Sequence, residues 1–233
     1  MSSFVLRCFA LATMLVDHVG AALLPRVLLL RVVGRLSFPV YCFLLAEGFA
    51  HTRSAPRYLL RLTLFAVLSE VPFDLVFFGR MWQPASQNVF FTLAISLLAL
   101  MAYAHLQPRD PWLAWLCVGG CCVLAILVGS DYTFFGVLLT LSFYLFRRSL
   151  RRQALGFAAT LGIYLLFDAL SGYSLRSILL QASCLLALVP IVLYNHKPGY
   201  RGARWLFYAL YPAHLLVLYG MRALRIVPRF WGG

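Results

Sequence analysis

The sequence predicts an all-α membrane protein, a polytopic bundle of about nine transmembrane helices with no separate soluble domain. Of its 233 residues, 63% are apolar and 12% are charged, whereas ordinary soluble domains are ~45–50% apolar and ~25% charged. A helix needs ~20 apolar residues to cross a bilayer, so at roughly 25 residues per span and loop the chain has room for nine spans. This composition excludes a soluble enzyme and a secreted domain, and residues 1–233 are predicted to form one domain.

Nine apolar runs, broken by Pro, Gly and charged residues, are the predicted spans. Only helices and closed barrels satisfy the backbone in lipid, and these runs lack the alternating pattern of barrel strands. The first run is interrupted by Asp17 and His18, which favours a retained span over a cleaved signal. The sixth run is short, so a tilted or re-entrant segment is an alternative there. In chain order the runs are 4–24, 33–50, 58–78, 88–106, 112–128, 132–146, 153–171, 177–194 and 204–221.

The net charge of +13 lies mostly in the short loops between these runs. Such a distribution follows the positive-inside rule of membrane proteins, so no nucleic-acid partner is expected. With nine spans, the loops on the N-terminal side carry ten Lys and Arg residues and the opposite side carries seven. The N-terminus is therefore predicted to be cytoplasmic.

The six cysteines lie in apolar runs without metal-ligand spacing, so neither a disulfide framework nor a metal site is predicted.

Nine ionisable side chains fall in or beside the apolar runs. A charge at the bilayer centre costs ~2.5–3.5 kcal/mol even on the lenient insertion scale, so these groups are expected to face one another or a hydrated cavity. Buried ion pairs that stabilise the bundle are one explanation, and a functional cavity is the other. The nine are Asp17, His18, Arg35, Glu47, Arg61, Glu70, Asp74, Asp168 and His214.

Three helices carry the predicted reaction centre. Asp17 and His18 are adjacent and point ~100° apart on a helix, so each needs a partner on another helix. In the second span Pro39 predicts a kink. In the last span Tyr208, Tyr211 and His214 recur every three residues and share a face, with Pro212 between them. A histidine in such a place could take a proton from a nucleophile.

Basic residues near one membrane edge are predicted to hold the phosphates of a large anionic donor. Glu47 and His51 are four residues apart and share a helix face, as do Arg57 and Arg61. A second basic loop precedes the last span and, in the predicted topology, lies on the same side. Guanidinium and ammonium groups suit phosphate recognition. The predicted donor-binding residues are His51, Arg57, Arg61, Lys197 and Arg204.

The sequence resembles the TraX family, named for a conjugal-transfer membrane protein that acetylates the pilin N-terminus. This resemblance implies a bacterial inner-membrane transferase that uses acetyl-coenzyme A as co-substrate, without a metal, and that moves the acetyl group to an amine or hydroxyl. It leaves the acceptor open among a pilin N-terminus, another protein or peptide, and a glycan or other cell-envelope molecule. The matching segments are LVDHVG at 15–20, RVVGRLSFPVYCFLLAEGFAHTRS at 31–54, YLLRLTLFAVLSEVPFD at 58–74, NVFFTL at 88–93, DYTFFGVLL at 131–139 and YNHKPGYRGARWLFYALYPAHLLVLY at 194–219.

With this resemblance, Asp17, His18, Glu47 and His214 are predicted to converge on one cavity, with His18 favoured over His214 as the general base. Arg35 or a tyrosine hydroxyl, such as that of Tyr211, would stabilise the oxyanion. The predicted partners are thus membrane lipid, acetyl-coenzyme A and the acceptor. Two alternatives stay open: a proton-coupled secondary transporter, which uses the same intramembrane groups but usually has an inverted repeat, and a non-catalytic membrane scaffold.

Overall fold

The structure, a computed structural model, describes residues 1–200, 202 and 204–224, except the side chain of Arg204. Every regular element in this part is helical, and the N-cap side chains of Ser2, Asn88, Asp110 and Ser174 each accept a bond from their helix's first turn. A 3-10 helix, Ser183–Ala187, joins α9 to α10. The α-helices are α1 Ser3–Ala22, α2 Leu28–Gly34, α3 Ser37–His51, α4 Ala55–Phe77, α5 Val89–Leu106, α6 Pro111–Leu127, α7 Thr133–Leu145, α8 Leu150–Leu170, α9 Leu175–Ala182, α10 Leu188–Val192 and α11 Arg204–Ala223.

These helices form nine continuous stretches in the described residues, in the order of the nine predicted runs. Helices α2 and α3 together make the stretch Leu28–His51, and α9 to α10 make Leu175–Val192. Five stretches are long and apolar enough to cross a membrane: α1, α2 with α3, α5, α8, and α9 with α10. Two further apolar helices, α6 and α7, are shorter. The prediction of an all-helical, multi-pass membrane protein is confirmed, and the described residues contain no soluble domain.

The second stretch is interrupted three to four residues before Pro39. Helix α2 ends at Gly34 and α3 begins at Ser37, so Arg35 and Leu36 lie between them. Pro39 has no N–H to bond the carbonyl of Arg35, four residues earlier, and its ring crowds that carbonyl. The predicted kink at Pro39 stays a prediction, and the interruption falls on a charged residue, Arg35.

The contacts divide the chain into two compact units. Unit 1 comprises Met1–Tyr41, Leu68–Trp82 and the described residues from Leu165 onward, and unit 2 comprises Cys42–Val67 and Gln83–Tyr164. Each is stabilised within itself by apolar packing and by hydrogen bonds that join its helices.

In unit 1, hydrogen bonds join helices and loops that are far apart in the sequence. The hydroxyl of Ser37 donates to the carbonyl of Ala10 at 2.8 Å, and the N–H of Ser3 donates to the carbonyl of Lys197 at 2.8 Å. Arg222 on α11 donates to the carbonyl of Val76 at 2.6 Å. That carbonyl belongs to the last turn of α4, where backbone acceptors lack helical partners and a cation is favourable.

Unit 2 has an apolar core between α5, α6 and α7, which includes Ala99, Leu100, Ala125 and Val137, none of them exposed. Asn88 is also fully buried. Its side-chain amide makes hydrogen bonds to two helices. Its oxygen accepts from the N–H of Phe90 at the start of α5, and its nitrogen donates to the carbonyl of Ala66 in α4 at 2.8 Å. Both halves of this buried amide are therefore satisfied, as a dry interior requires.

Candidate functional site

Two histidines, one on α1 and one on α11, face each other inside unit 1. Nδ1 of His18 lies 2.7 Å from Nε2 of His214, and the two rings are nearly parallel, at 13°, with centroids 5.0 Å apart. The pair joins residues 196 positions apart in the sequence. It provides two titratable nitrogens in direct contact within apolar helices.

The hydrogen bonds fix which nitrogens carry hydrogen when both rings are neutral. Nδ1 of His214 lies 2.8 Å from the carbonyl oxygen of Leu210, and because a carbonyl only accepts, that nitrogen must carry the hydrogen. Nε2 of His214 is then an acceptor, and Nδ1–H of His18 donates to it. Nε2 of His18 is consequently left without a hydrogen, and no described residue hydrogen-bonds it. This assignment makes Nε2 of His18 the basic atom of the pair.

Aromatic rings enclose the histidine pair. Tyr211, which is only 3% exposed, lies edge-on to both rings, with centroid distances of 5.9 Å to His18 and 5.4 Å to His214. Phe77, at the end of α4, lies edge-on to His18 at 5.4 Å. These contacts hold the imidazoles in place, and they exclude water from two sides of the pair.

The neighbouring Asp17, which points ~100° away from His18 around α1, is the centre of an ion-pair network. Arg31 donates to Oδ2 of Asp17 at 2.8 Å and to its backbone carbonyl at 3.1 Å. Arg35 donates to both carboxylate oxygens, at 3.2 and 3.4 Å. The side chains of Asp17 and Arg35 are only 12% and 13% exposed. Arg31 lies in α2 and pairs with this carboxylate.

A glycine makes room for this network, and it gives a testable prediction. A Cβ on Gly34 would lie 2.2 Å from both Cβ and Oδ1 of Asp17. Gly34→Ala therefore has to push α2 away from α1, or Asp17 away from its arginines, and overpacking of this kind costs ~1–3 kcal/mol. We expect a lower midpoint of thermal unfolding in detergent.

The matched control is Gly220→Ala on α11, where a new Cβ would meet no atom within 4 Å. Replacing a helical glycine by alanine at an open position is favourable by ~0.5–1 kcal/mol. The control should therefore unfold at the same temperature as the wild type or higher. Equal midpoints for Gly34→Ala and the wild type would show that Asp17 does not need this space.

One residue of the network escaped the sequence analysis. Gln181, near the end of α9, accepts a hydrogen bond at Oε1 from Nη1 of Arg35 at 3.4 Å. It is 8% exposed. The available signal was a single glutamine within the run 178–193, in which Ser183 is the only other polar residue, because an amide there needs a partner.

The other predicted catalytic and donor-binding residues lie partly in unit 2 and partly in unit 1. Glu47 is half-buried on α3 in unit 2, where its backbone carbonyl, not its carboxylate, is bonded by Nδ1 of His51 at 2.8 Å. Convergence of Glu47 with Asp17, His18 and His214 stays a prediction. Arg57 is exposed, and the guanidinium of Arg61 lies over the ring of Tyr58 at 5.5 Å. In unit 1, Lys197 is exposed, and the side chain of Arg204 lies outside the described residues.

One end of unit 2 is strongly basic. Phe49, close to the end of α3, contacts Tyr144 at the end of α7 with ring centroids 5.4 Å apart, so both helices finish at this end. A cleft of about 330 Å³ lies there, lined by Tyr144 and by arginines from the short α7–α8 connection. The lining arginines are Arg147, Arg148 and Arg152, the first of which lies 5.1 Å over the ring of Tyr144.

Among the described residues, no group of three or more His, Cys, Asp or Glu side chains could hold a metal ion.

Comparisons with known proteins give two matches. A family model described as TraX protein matches residues 2–222. A curated protein, "Probable fimbrial assembly protein FimC, serogroup H1" of Dichelobacter nodosus, is 31% identical, and the alignment covers 93% of this chain and 94% of that protein. No solved structure matches the chain significantly.

Proposed function

Because the chain belongs to the TraX family, we propose that it is a membrane acyltransferase that moves the acetyl group of acetyl-coenzyme A to an amine or hydroxyl. The observation that carries this proposal is the contact of His18 with His214, at 2.7 Å inside a helix bundle, because the bonds of the neutral pair assign the basic nitrogen to Nε2 of His18. Acyl transfer to a neutral nucleophile needs such a proton acceptor.

In the proposed reaction, His18 acts as the base and His214 as its positioning residue. The acceptor nitrogen or oxygen attacks the acetyl carbon and loses its proton to Nε2 of His18. The imidazolium that forms donates more strongly from Nδ1 to Nε2 of His214, which therefore stabilises it. When the carbon–sulfur bond breaks, the coenzyme A thiolate leaves and takes the proton from Nε2. His18 thus returns to its initial state.

The basic end of unit 2 supplies binding groups for the donor. Coenzyme A carries several phosphate groups, which arginines bind with paired hydrogen bonds. Arg57 and Arg61 lie in the first two turns of α4, and Arg147 and Arg152 line the cleft at the same end. We propose that these side chains, with His51, hold the phosphates on the cytoplasmic side of the bacterial inner membrane.

The acceptor is proposed to be a pilin subunit or another cell-envelope molecule. The name of the 31% identical relative refers to fimbrial assembly, and a fimbrial subunit offers a free α-amine at its N-terminus. This class of acceptor fits a base that removes a proton from an attacking amine.

Purified protein in lipid nanodiscs should release coenzyme A from acetyl-coenzyme A and acetylate an acceptor. We would use a peptide with a free α-amine and glucosamine as acceptors, and follow both products by mass spectrometry. Arg57→Ala/Arg61→Ala should raise the KM for acetyl-coenzyme A about tenfold or more, because each lost phosphate contact is charge-assisted.

The matched control for that double variant is Arg26→Ala/Arg176→Ala, which removes two exposed arginines in unit 1 and should leave the KM unchanged. An equal KM in Arg57→Ala/Arg61→Ala would disprove the donor-site assignment. Movement of protons or a solute across liposomes, with no consumption of acetyl-coenzyme A, would instead establish the transporter alternative.

A further inference from the structure

The side chain of Gln181 is held in one orientation by its neighbour. Its amide contacts Nη1 of Arg35 at 3.4 Å, and a guanidinium has only donors. The amide oxygen must therefore face Arg35, because the reverse orientation would place two sets of N–H donors against each other. The Nε2 amino group consequently points away from the guanidinium.

This amino group is dry and makes no hydrogen bond to any described residue. Gln181 is also 92% removed from solvent, since only 8% of it is exposed. Buried amide groups are nearly always hydrogen-bonded, and in a membrane protein water is rarely at hand to replace a missing partner. An apolar side chain would fill this position at lower cost. Two oriented donors without acceptors therefore indicate a ligand that brings an oxygen atom.

The position of the amide indicates which ligand oxygen this is. Arg35 bonds Asp17 through Nη2 and Gln181 through Nη1, so a single guanidinium connects the amide to the residue next to His18. Nη1 and Nη2 of Arg35, the predicted oxyanion donor, bond Gln181 and Asp17, and the bond from Nη1 positions the amide.

We infer that Nε2 of Gln181 donates to the carbonyl oxygen of the transferred acetyl group, an inference that rests on the acyltransferase function proposed above. When the nucleophile bonds to the acetyl carbon, the carbonyl electron pair moves onto the oxygen and makes it an oxyanion. A neutral donor fixed in a dry site binds this charge more strongly than it binds the ground-state carbonyl, so the interaction accelerates the reaction. Return of the electron pair expels the coenzyme A thiolate and ends the interaction.

The test compares Gln181→Met with wild type in the nanodisc transfer assay. Methionine keeps the volume but has no donor, so kcat should fall about 100- to 1,000-fold, the usual effect of losing one oxyanion donor. The KM for acetyl-coenzyme A should change less than threefold. The unfolding midpoint should stay equal or rise, because two dry N–H groups are removed. A structural glutamine would give the reverse pattern, a lower midpoint with kcat retained.

Two further variants complete the test. Gln153→Met replaces another buried glutamine, 4% exposed and in unit 2, and should leave kcat unchanged. Gln181→Glu keeps an oxygen for Arg35 but puts an acceptor in place of the donor, so it should be as inactive as Gln181→Met and covers the case in which methionine prevents folding. Full kcat in either Gln181 variant would overturn the inference while the function stands. A wild-type protein that neither cleaves nor transfers the acetyl group would refute both.

Discussion

His18→Ala should reduce acetyl transfer at least 100-fold and leave the protein folded in the membrane. Removal of a general base typically costs 10²–10⁴-fold in rate, and Nε2 of His18 is the nitrogen that the hydrogen bonds leave without a proton. The lost imidazole makes one side-chain hydrogen bond, so we expect the unfolding midpoint to change by only a few degrees. Single-turnover transfer with labelled acetyl-coenzyme A measures the chemical step directly.

Variants of His214 test its separate role as a positioning residue. His214→Ala should lower the rate less than His18→Ala, because His18 keeps its basic nitrogen and loses only its orientation. His214→Gln offers an amide oxygen to Nδ1–H of His18 and should recover part of the loss. His105→Ala is the control, since that exposed histidine in unit 2 bonds only Arg109 among the described residues. Full activity in both His18→Ala and His214→Ala would leave the proposed reaction without a proton acceptor.

Asp17→Asn should cause a large loss of stability. It removes the carboxylate from two guanidiniums, and the side chains of Asp17, Arg35 and Arg31 are only 12%, 13% and 24% exposed. Removing one partner of a buried ion pair costs ~3–5 kcal/mol, because the remaining charge is left uncompensated. We expect the unfolding midpoint in detergent to fall by on the order of 10 °C.

A double-mutant cycle separates this electrostatic loss from lost packing. Arg31→Gln alone should cost less than Asp17→Asn, since Asp17 keeps its bonds to Arg35. The double variant Asp17→Asn/Arg31→Gln should be more stable than the sum of the two single effects, with a coupling of ~0.5–3 kcal/mol. Strict additivity would mean that the Asp17–Arg31 pair at 2.8 Å contributes nothing as an ion pair.

The fold could be predicted because span length and hydropathy are local properties of a sequence. Each predicted run overlaps a helical stretch, and even the short run 132–146 corresponds to α7, Thr133–Leu145. The interruption near Arg35 also has a local signal. Pro39 cannot bond the carbonyl of Arg35, four residues earlier, so a proline at this position indicates a helix break just before it.

The site was only partly predictable, because charge marks a residue as unusual but does not name its partner. Asp17 and His18 were recognised, and the helical angle between them indicated partners on different helices. Nothing in the spacing distinguished Arg31, which pairs with Asp17, from the loop arginines at other span ends. Gln181 carries no charge, and a single amide in an apolar run gives a weak signal. Its significance depends on burial and on the orientation that Arg35 imposes.

The 196-residue separation between His18 and His214 also constrains how the protein is made. At a synthesis rate of ~5–20 residues per second, His18 leaves the ribosome roughly 10–40 s before the residue that completes its environment. During that interval the first helix is in the membrane, or held by the insertion machinery, with an imidazole that has not yet met its partner. Ribosome stalling before α11 would therefore leave the imidazole of His18 without the partner that the finished protein gives it, at a cost if it faces lipid.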